Sequence, residues 1–525
     1  MKSSLFRSLF TVSGFTLLSR IMGLLRDIVF ASYFGAGAAM DAFSVAFRIP
    51  NLFRRFFGEG AFNQAFVPVF SEIRLERSRD ELKRFLAEIS GTLGVILLLI
   101  TIVGVTFSSE MVLLFAAGFS DDLGKFLLTE ELLQLMLPYL FFICMTAMYS
   151  SVMNALNKFA IPAAVPILLN LFLIAGAMVS IYLEEPIKAL GYAVFFAGIC
   201  QMMILFWAVK REGLITSPMI RFRSPEVKRV MLLMVPALIG SSSSQINILI
   251  NTQLASRLET GSITWLYYSD RLVEFAIGTF AVALGTVILP KLSELNTKGD
   301  QVNLGKTIDW GIELALIIGI PSMLGLIFLA EPLLAILFMR GEFYESDVIM
   351  AAKSLMTYAL SIPAFFMIRI LAPVYFARQN TKTPMYFSLI AIAVNIFLQF
   401  ILVKYYQHAG LALSSSLAAW VNALLLAFGL VFLNIHHFNN LFTRRILAIF
   451  PANLLLVAIL YWLQGYSLFW FEGAFILKFP AILAAIVGSV VLYFITLHLS
   501  GFSLRRMKGP LVAMERQAKK DNLDQ

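Results

Sequence analysis

Eight ionisable side chains crowd two adjacent apolar stretches near the start of this chain. Arg20, Arg26 and Asp27 lie in SRIMGLLRD, residues 19–27; Asp41, Arg48, Arg54, Arg55 and Glu59 lie in the run that begins at Asp41 and continues as FRIPNLFRRFFGEGAFNQAFVPVFSE to Glu72. Each ionised group at the centre of a bilayer costs roughly 2.5–3.5 kcal/mol, so such a set needs a use. On a helix Arg20 and Asp27, seven residues apart, share one face, as do Asp41, Arg48 and Arg55. Gly23 permits a neighbour to approach closely, and Pro50 removes a backbone donor and should bend its helix. A later stretch, YYSDRLVEF at 267–275, adds Arg271 and Glu274, whose three-residue spacing lets them pair.

Mutual neutralisation accounts for part of this set, such as Arg55 with Glu59 and Asp270 with a nearby arginine. It does not account for all of it, because the first two expected spans, 8–32 and 40–68, hold five arginines against Asp27, Asp41 and Glu59. Arginine predominates over lysine, and its planar fork suits phosphate oxygens. The expectation is a water-accessible, positively biased cavity for a phosphorylated cargo. Arg20, Arg26, Arg48, Arg54 and Arg55 would bias it positive, with Asp27, Asp41 and Glu59 as their counter-charges. Asp41 and Glu59 would pair with the arginines when the cavity is empty.

The elements that position these residues are membrane helices. Of 525 residues 59% are hydrophobic and 14% charged, 48 are Phe, and the mean hydropathy is +0.83; a soluble domain carries about 25% charge. Apolar runs near twenty residues predict an all-α polytopic membrane protein, and an outer-membrane barrel, which alternates in short strands, is excluded. Fourteen spans are expected: 8–32, 40–68, 85–109, 131–155, 160–183, 188–210, 229–255, 263–289, 308–338, 349–376, 383–405, 409–434, 446–464 and 475–499. Met111–Ser120 is too short to span. The N-terminal stretch, broken by Arg20 and Arg26, reads as a retained first helix rather than a signal peptide.

Lysine and arginine concentrate in alternate loops, among them Arg74–Arg84, Lys210–Arg229 and Lys291–Lys306, which puts both termini on the cytoplasmic side. The net charge of +9 is this topological signal, and nucleic-acid binding is not needed to explain it. Cys144 and Cys200 sit in separate apolar runs as small hydrophobes. The four histidines lack metal-ligand spacing and no GxxxxGK[ST] is present, so neither a metal, a cofactor nor ATP hydrolysis is expected.

An internal repeat organises the spans. AFVPVFSEI (65–73) resembles VILPKLSEL (287–295), SEMVLLF (109–115) resembles AEPLLAILF (330–338), and Asn170 and Asn395 follow comparable proline-containing leads. The interval, about 220 residues, would hold six helices, so the halves share one orientation. This gives lobes at 1–215 and 216–440, two additional helices at 441–500 and a cytoplasmic tail at 501–525.

SRIMGLLRD, FGAG (34–37), the Asp41–Glu72 run, YYSDRLVEF, GTVILP (285–290) and FARQNTKTP (376–384) together closely resemble the MurJ (MviN) family of lipid II flippases, within the multidrug/oligosaccharidyl-lipid/polysaccharide exporter superfamily. The resemblance covers nearly the whole chain. It implies two six-helix lobes around a cavity that opens alternately to either side. It also implies movement of undecaprenyl-pyrophosphate-linked disaccharide-pentapeptide (lipid II) to the outer leaflet of the bacterial inner membrane, for peptidoglycan synthesis. The family's required arginines match Arg20, Arg26, Arg54 and Arg271, which the resemblance implies would bind the pyrophosphate, and its motif acid matches Asp41. Asp27, Asp41, Glu59 and Glu274 would then be counter-charge or gating residues. Helices thirteen and fourteen would form a groove for the lipid tail; membrane lipids and other cell-wall synthesis proteins are the further partners it suggests. The family's APGF is AAGF here (116–119), and helix eleven offers Asn395 and Gln399 but no acid, so a sodium site is not carried over. The rivals are a flippase for another polyprenyl-linked glycan, a drug or cation antiporter, which should favour acidic and aromatic cavity residues, and a membrane glycosyltransferase, which needs a catalytic carboxylate near a sizeable outer loop.

Overall fold

The computed structural model describes residues 2–55, 61–438, 449–503 and 507; within these, side chains are described except at 2–10, 61, 237–244, 279–287 and 467. Most of the tail and Glu59 lie outside the described residues. Those described form helices: α1 (Lys2–Phe34), α2 (Ala38–Arg54), α3 (Ala61–Glu76), α4 (Arg79–Thr106), α5 (Ser108–Ala116), α6 (Leu123–Met136), α7 (Pro138–Ala155), α8 (Ala160–Val179), α9 (Lys188–Arg211), α10 (Pro225–Ala255), α11 (Ser262–Thr297), α12 (Gln301–Phe328), α13 (Ala330–Phe338), α14 (Glu345–Ala359), α15 (Ile362–Ala377), α16 (Lys382–Phe432), α17 (Ile449–Gln464), α18 (Ser467–Glu472) and α19 (Phe475–Leu499). Among the described residues, eight helical stretches are long and apolar enough to cross a membrane, and α17 is a shorter apolar helix. This is an all-helical, multi-pass membrane protein.

The helix lengths recur at a fixed interval. A 28-residue α4 is followed, after the single non-helical residue Phe107, by the nine-residue α5. A 28-residue α12 is followed, after Leu329, by the nine-residue α13. A 33-residue stretch comes next in each case, Leu123–Ala155 and Glu345–Ala377. From Arg79 to Gln301, Ser108 to Ala330, Leu123 to Glu345 and Ala160 to Lys382 the interval is the same, 222 residues. Met111–Ser120, too short to span, falls in α5 and the 3₁₀ turn Ala117–Asp121 that follows it. The stretches 383–405 and 409–434 are joined without a loop: α16 runs through both and breaks direction only at Gln407, whose φ is 50° and ψ −130°.

The chain separates into two compact units, Met1–Thr264 with Arg340–Phe343, and Trp265–Met339 with Tyr344–Gln525. In the first, α8 packs between α1 and α9, α7 packs on α9, α2 on α6, and α3 on α10. In the second, α15 packs against α12 and α16, and α17 pairs with α19 while leaning on α12. That last contact is an apolar cluster of Ile317, Leu329, Leu456, Trp470 and Tyr493, in which the Tyr493 hydroxyl donates to the Ile317 carbonyl at 2.9 Å.

In the first unit FGAG acquires a structural role. Gly35 takes a left-handed φ of 58° at the end of α1, and Gly341 one of 56°. The Glu342 amide donates to the Ser32 carbonyl at 3.1 Å. A Cβ on Gly35 would meet the Glu342 carbonyl, and one on Gly341 the Ser32 carbonyl. Gly37, by contrast, has φ −95° and open space around it. Gly35→Val and Gly341→Val should therefore each lower the thermal unfolding midpoint in detergent, since left-handed backbone alone costs a branched residue about 1–2 kcal/mol and the clash adds to it. Gly37→Ala should leave the midpoint unchanged; an equal loss at all three glycines would refute the close-contact account.

Candidate functional site

The α1 charges are held by their own helix and by α8. Arg26 and Asp27 are both buried, and the Arg26 guanidinium grips the Asp27 carboxylate from Nε (3.0 Å) and Nη2 (2.7 Å). Neighbouring positions on a helix do not face each other; the length of arginine closes the gap, and the guanidinium rests over the Phe30 ring. Arg26 Nη1 donates to Asn170 Oδ1 of α8 at 3.0 Å, while Asn170 Nδ2 donates back to the Ser19 carbonyl at 3.2 Å. Gly23 faces this contact, but a Cβ there would stand 3.9 Å from Asn170 Nδ2, an ordinary contact distance, so the approach does not depend on glycine. Arg20, two turns earlier, is exposed, and among the described residues it has no hydrogen-bond or ion-pair partner. The face shared by Arg20 and Asp27 thus carries a free guanidinium and a neutralised carboxylate.

On α2, Arg48 donates to the Thr252 hydroxyl of α10 at 2.8 Å, and Arg54 Nε to Asn51 Oδ1 at 3.1 Å. The helix continues four residues past Pro50, and Arg54 stands in its last turn. A cation there complements the carbonyl end of the helix dipole. Arg55 is exposed at the helix end, and its expected partner, Glu59, lies outside the described residues.

Asp41 departs from expectation. It is 1% exposed, and its ion-pair partner is Lys125 of α6, with Nζ at 2.9 Å, rather than an arginine. The Gly261 amide donates to the same carboxylate at 2.8 Å, and Thr264 donates twice, from its amide at 3.0 Å and its hydroxyl at 2.7 Å. Because α11 begins at Ser262, Asp41 fills the amide end of a helix distant in sequence, where a negative charge is favoured. A carboxylate three residues into α2 thereby ties together α2, α6 and the start of α11. Lys125 also lies 4.3 Å over the Phe119 ring.

Sequence reasoning overlooked Lys125 and Thr264. A signal for Lys125 existed: Lys125, Thr129, Leu132, Leu133 and Met136 form the buried stripe of α6, a helical spacing that puts the lysine on the apolar face. In the second unit, Arg271 of α11 pairs with Glu274 at 3.0 Å, as the spacing predicts, and lies 5.0 Å over the Tyr267 ring. Its side chain remains 40% exposed. The four predicted arginines are thus in distinct states: Arg26 buried and satisfied, Arg54 amide-bonded at a helix end, Arg20 exposed, and Arg271 exposed beside its glutamate.

Comparison with known proteins fixes the lineage. Residues 30–481 match the family model described as lipid II flippase MurJ. The chain belongs to the lipid II flippase MurJ family. It is 39% identical over 512 residues to the probable lipid II flippase MurJ of Vibrio cholerae, covering 96% of this chain and 98% of that one. A solved structure titled lipid II flippase MurJ, inward closed conformation, is 29% identical with a TM-score of 0.77, covering 92% of this chain and 97% of that one. The fold is shared more widely: an inward-facing multidrug resistance MATE family transporter of the MOP superfamily aligns with a TM-score of 0.64 at 13% identity.

Removing one partner of a buried ion pair costs about 3–5 kcal/mol, because the other charge is left uncompensated. Asp41→Ala and Lys125→Ala should each destabilise the purified protein by about that much, and the double variant by clearly less than their sum. A denaturation double-mutant cycle in detergent reads the coupling; strictly additive losses would contradict a direct pair.

Proposed function

We propose that this chain is a flippase that carries lipid II, the undecaprenyl-pyrophosphate-linked peptidoglycan precursor, from the cytoplasmic to the outer leaflet of the bacterial inner membrane by alternating access. Family membership supports the cargo, and the membrane arginines supply a chemical reason for it. The observation that carries the reading is the exposed guanidinium of Arg20, which has no hydrogen-bond or ion-pair partner among the described residues, while Arg26 on the same helix is already neutralised by Asp27. An unneutralised arginine in a membrane helix is costly, and a pyrophosphate removes that cost when it arrives, with the bidentate geometry arginine favours.

Arg20, Arg26, Arg54 and Arg271 contribute the cationic side of cargo recognition. Arg26 is held in place by Asp27 and Asn170, and Glu274 keeps Arg271 partnered until an anion competes for it. Asp41, together with Glu59, acts in gating, with Lys125 as the counter-charge of Asp41. No bond is made or broken: the polyprenyl chain stays in lipid while the pyrophosphate and sugars cross. The chain is organised as fourteen spans, lobes of six helices at 1–215 and 216–440 in one orientation, two further helices at 441–500, and a tail at 501–525. Both termini are cytoplasmic, by the Lys/Arg bias of the loops, and the recurrence of helix lengths at 222 residues supports a parallel repeat. Membrane lipids surround it, and other cell-wall synthesis proteins are candidate partners.

Arg20→Ala and Arg271→Ala should reduce lipid II translocation to near background while membrane insertion and the unfolding midpoint stay at wild-type values. Leaflet-specific labelling of lipid II after depletion of the native protein, with each variant supplied in trans, measures it. Full translocation by either variant would sink the arginine reading.

A further inference from the structure

Away from the membrane arginines, the first unit contains a cavity of about 690 Å³ whose lining mixes guanidinium groups with exposed apolar side chains. It lies where α4 begins, beside the segment Gly213–Ser224 that joins α9 to α10. That segment is fastened to α4 along its length. The Met219 amide donates to the Ala87 carbonyl at 2.8 Å, the Arg221 amide to the Thr92 hydroxyl at 3.1 Å, and the Thr216 hydroxyl to the Lys83 carbonyl at 3.3 Å. Gly91 makes the approach possible, since a Cβ there would stand 2.5 Å from the Met219 carbonyl oxygen.

The fastened strap alternates apolar and cationic residues: Ile220 and Phe222, 61% and 54% exposed, with Arg221 and Arg223. Most other charges in the cavity are already engaged. Arg77 pairs with Glu226 at 2.7 Å and holds its carboxylate below the usual range, Arg84 binds the buried Glu88 at 3.0 Å, and Glu81 is taken up capping α4 at Ser78. Arg221 reaches Glu88 only at 3.5 Å and stays half exposed. Arg223 is exposed and, among the described residues, has no ion-pair or hydrogen-bond partner. Two large apolar side chains exposed next to two weakly engaged arginines, at the mouth of membrane spans, match an amphiphile better than a soluble anion or an acidic peptide.

We propose that this cavity binds the headgroup of an acidic phospholipid, with Arg221 and Arg223 on the phosphate and Ile220 and Phe222 against the acyl region. The site is separate from the cargo arginines, and its function would be to fasten the α9–α10 strap to the surface of an anionic leaflet.

The test uses the full-length protein, delipidated in detergent and titrated with dioleoyl phosphatidylglycerol or dioleoyl phosphatidylcholine under native mass spectrometry. Wild type should prefer phosphatidylglycerol, and Arg221→Ala/Arg223→Ala should weaken that binding on the order of tenfold or more without changing phosphatidylcholine binding. Arg223→Ala alone, which removes no contact within the protein among the described residues, should weaken it in the same direction, as should Phe222→Ser. Lys298→Ala/Lys306→Ala, which removes the same charge elsewhere, should not. Unchanged phosphatidylglycerol binding in both arginine variants, or an equal loss in the lysine control, would overturn the proposal. Displacement of the lipid by millimolar inorganic phosphate would overturn it in favour of a soluble-anion site.

Discussion

A charge inside a membrane must bring its partners with it, because no water is there to solvate it. The polar architecture of the first unit follows from that constraint, and Asp41 illustrates it most fully. One carboxylate collects an ammonium, two amides and a hydroxyl from α6 and from the turn and first residues of α11. Hydrogen bonds to charged acceptors contribute about 1.5–3 kcal/mol each where a neutral bond contributes about one. The same four bonds make the arrangement all-or-none, since losing any donor leaves a buried anion short of partners. Such a cluster holds one conformation firmly.

Close backbone contact acts alongside it. The loop after α13 meets the end of α1 through Gly35 and Gly341, and the loop after α5 meets the end of α10 through Gly118, whose amide donates to the Ser256 hydroxyl at 3.1 Å. Both loops follow the nine-residue helices that recur 222 residues apart. In each, glycine lets main chain approach main chain, and side chains join it: Gln253 accepts from the Ala117 amide, and Phe119 and Phe343, one and two residues past the glycines, are buried.

The fold was legible in the sequence to the extent that apolar runs report spans. It became less legible wherever one element ended on a single residue. The break between α4 and α5 rests on Phe107 and that between α12 and α13 on Leu329, neither of them a helix breaker by type. Gln407 carries a left-handed turn that no glycine announces. Within the site, pairs close in sequence were readable, as with Arg271 and Glu274, because helical spacing alone puts them together. Pairs made across the fold were not. Asp41 and Lys125 are 84 residues apart, and Arg26 and Asn170 are 144 apart; their meeting depends on which helices pack, a property of tertiary structure rather than of local pattern. Helical spacing in α6 carries a signal that Lys125 faces inward, which the sequence reading passed over, and nothing local points to its partner.

These partnerships change how an arginine-rich membrane segment should be understood. Counting charges suggests a uniform cationic surface, yet Arg26 is bound to a carboxylate and an amide, Arg48 to a hydroxyl, and Arg54 to an amide. A guanidinium fixed by such contacts contributes a steady potential and little mobility. Arg20 and Arg271 differ, one exposed and the other sharing a solvent-accessible glutamate. Arg20 has no hydrogen-bond or ion-pair partner among the described residues, and the Arg271–Glu274 pair is open to solvent. The bound arginines are therefore consumed by the fold, whereas Arg20, among the described residues, is not. The energetic penalty of burying charge is met by the fixed pairs, so charged helices fold firmly in lipid while an exposed guanidinium stays outside those pairs.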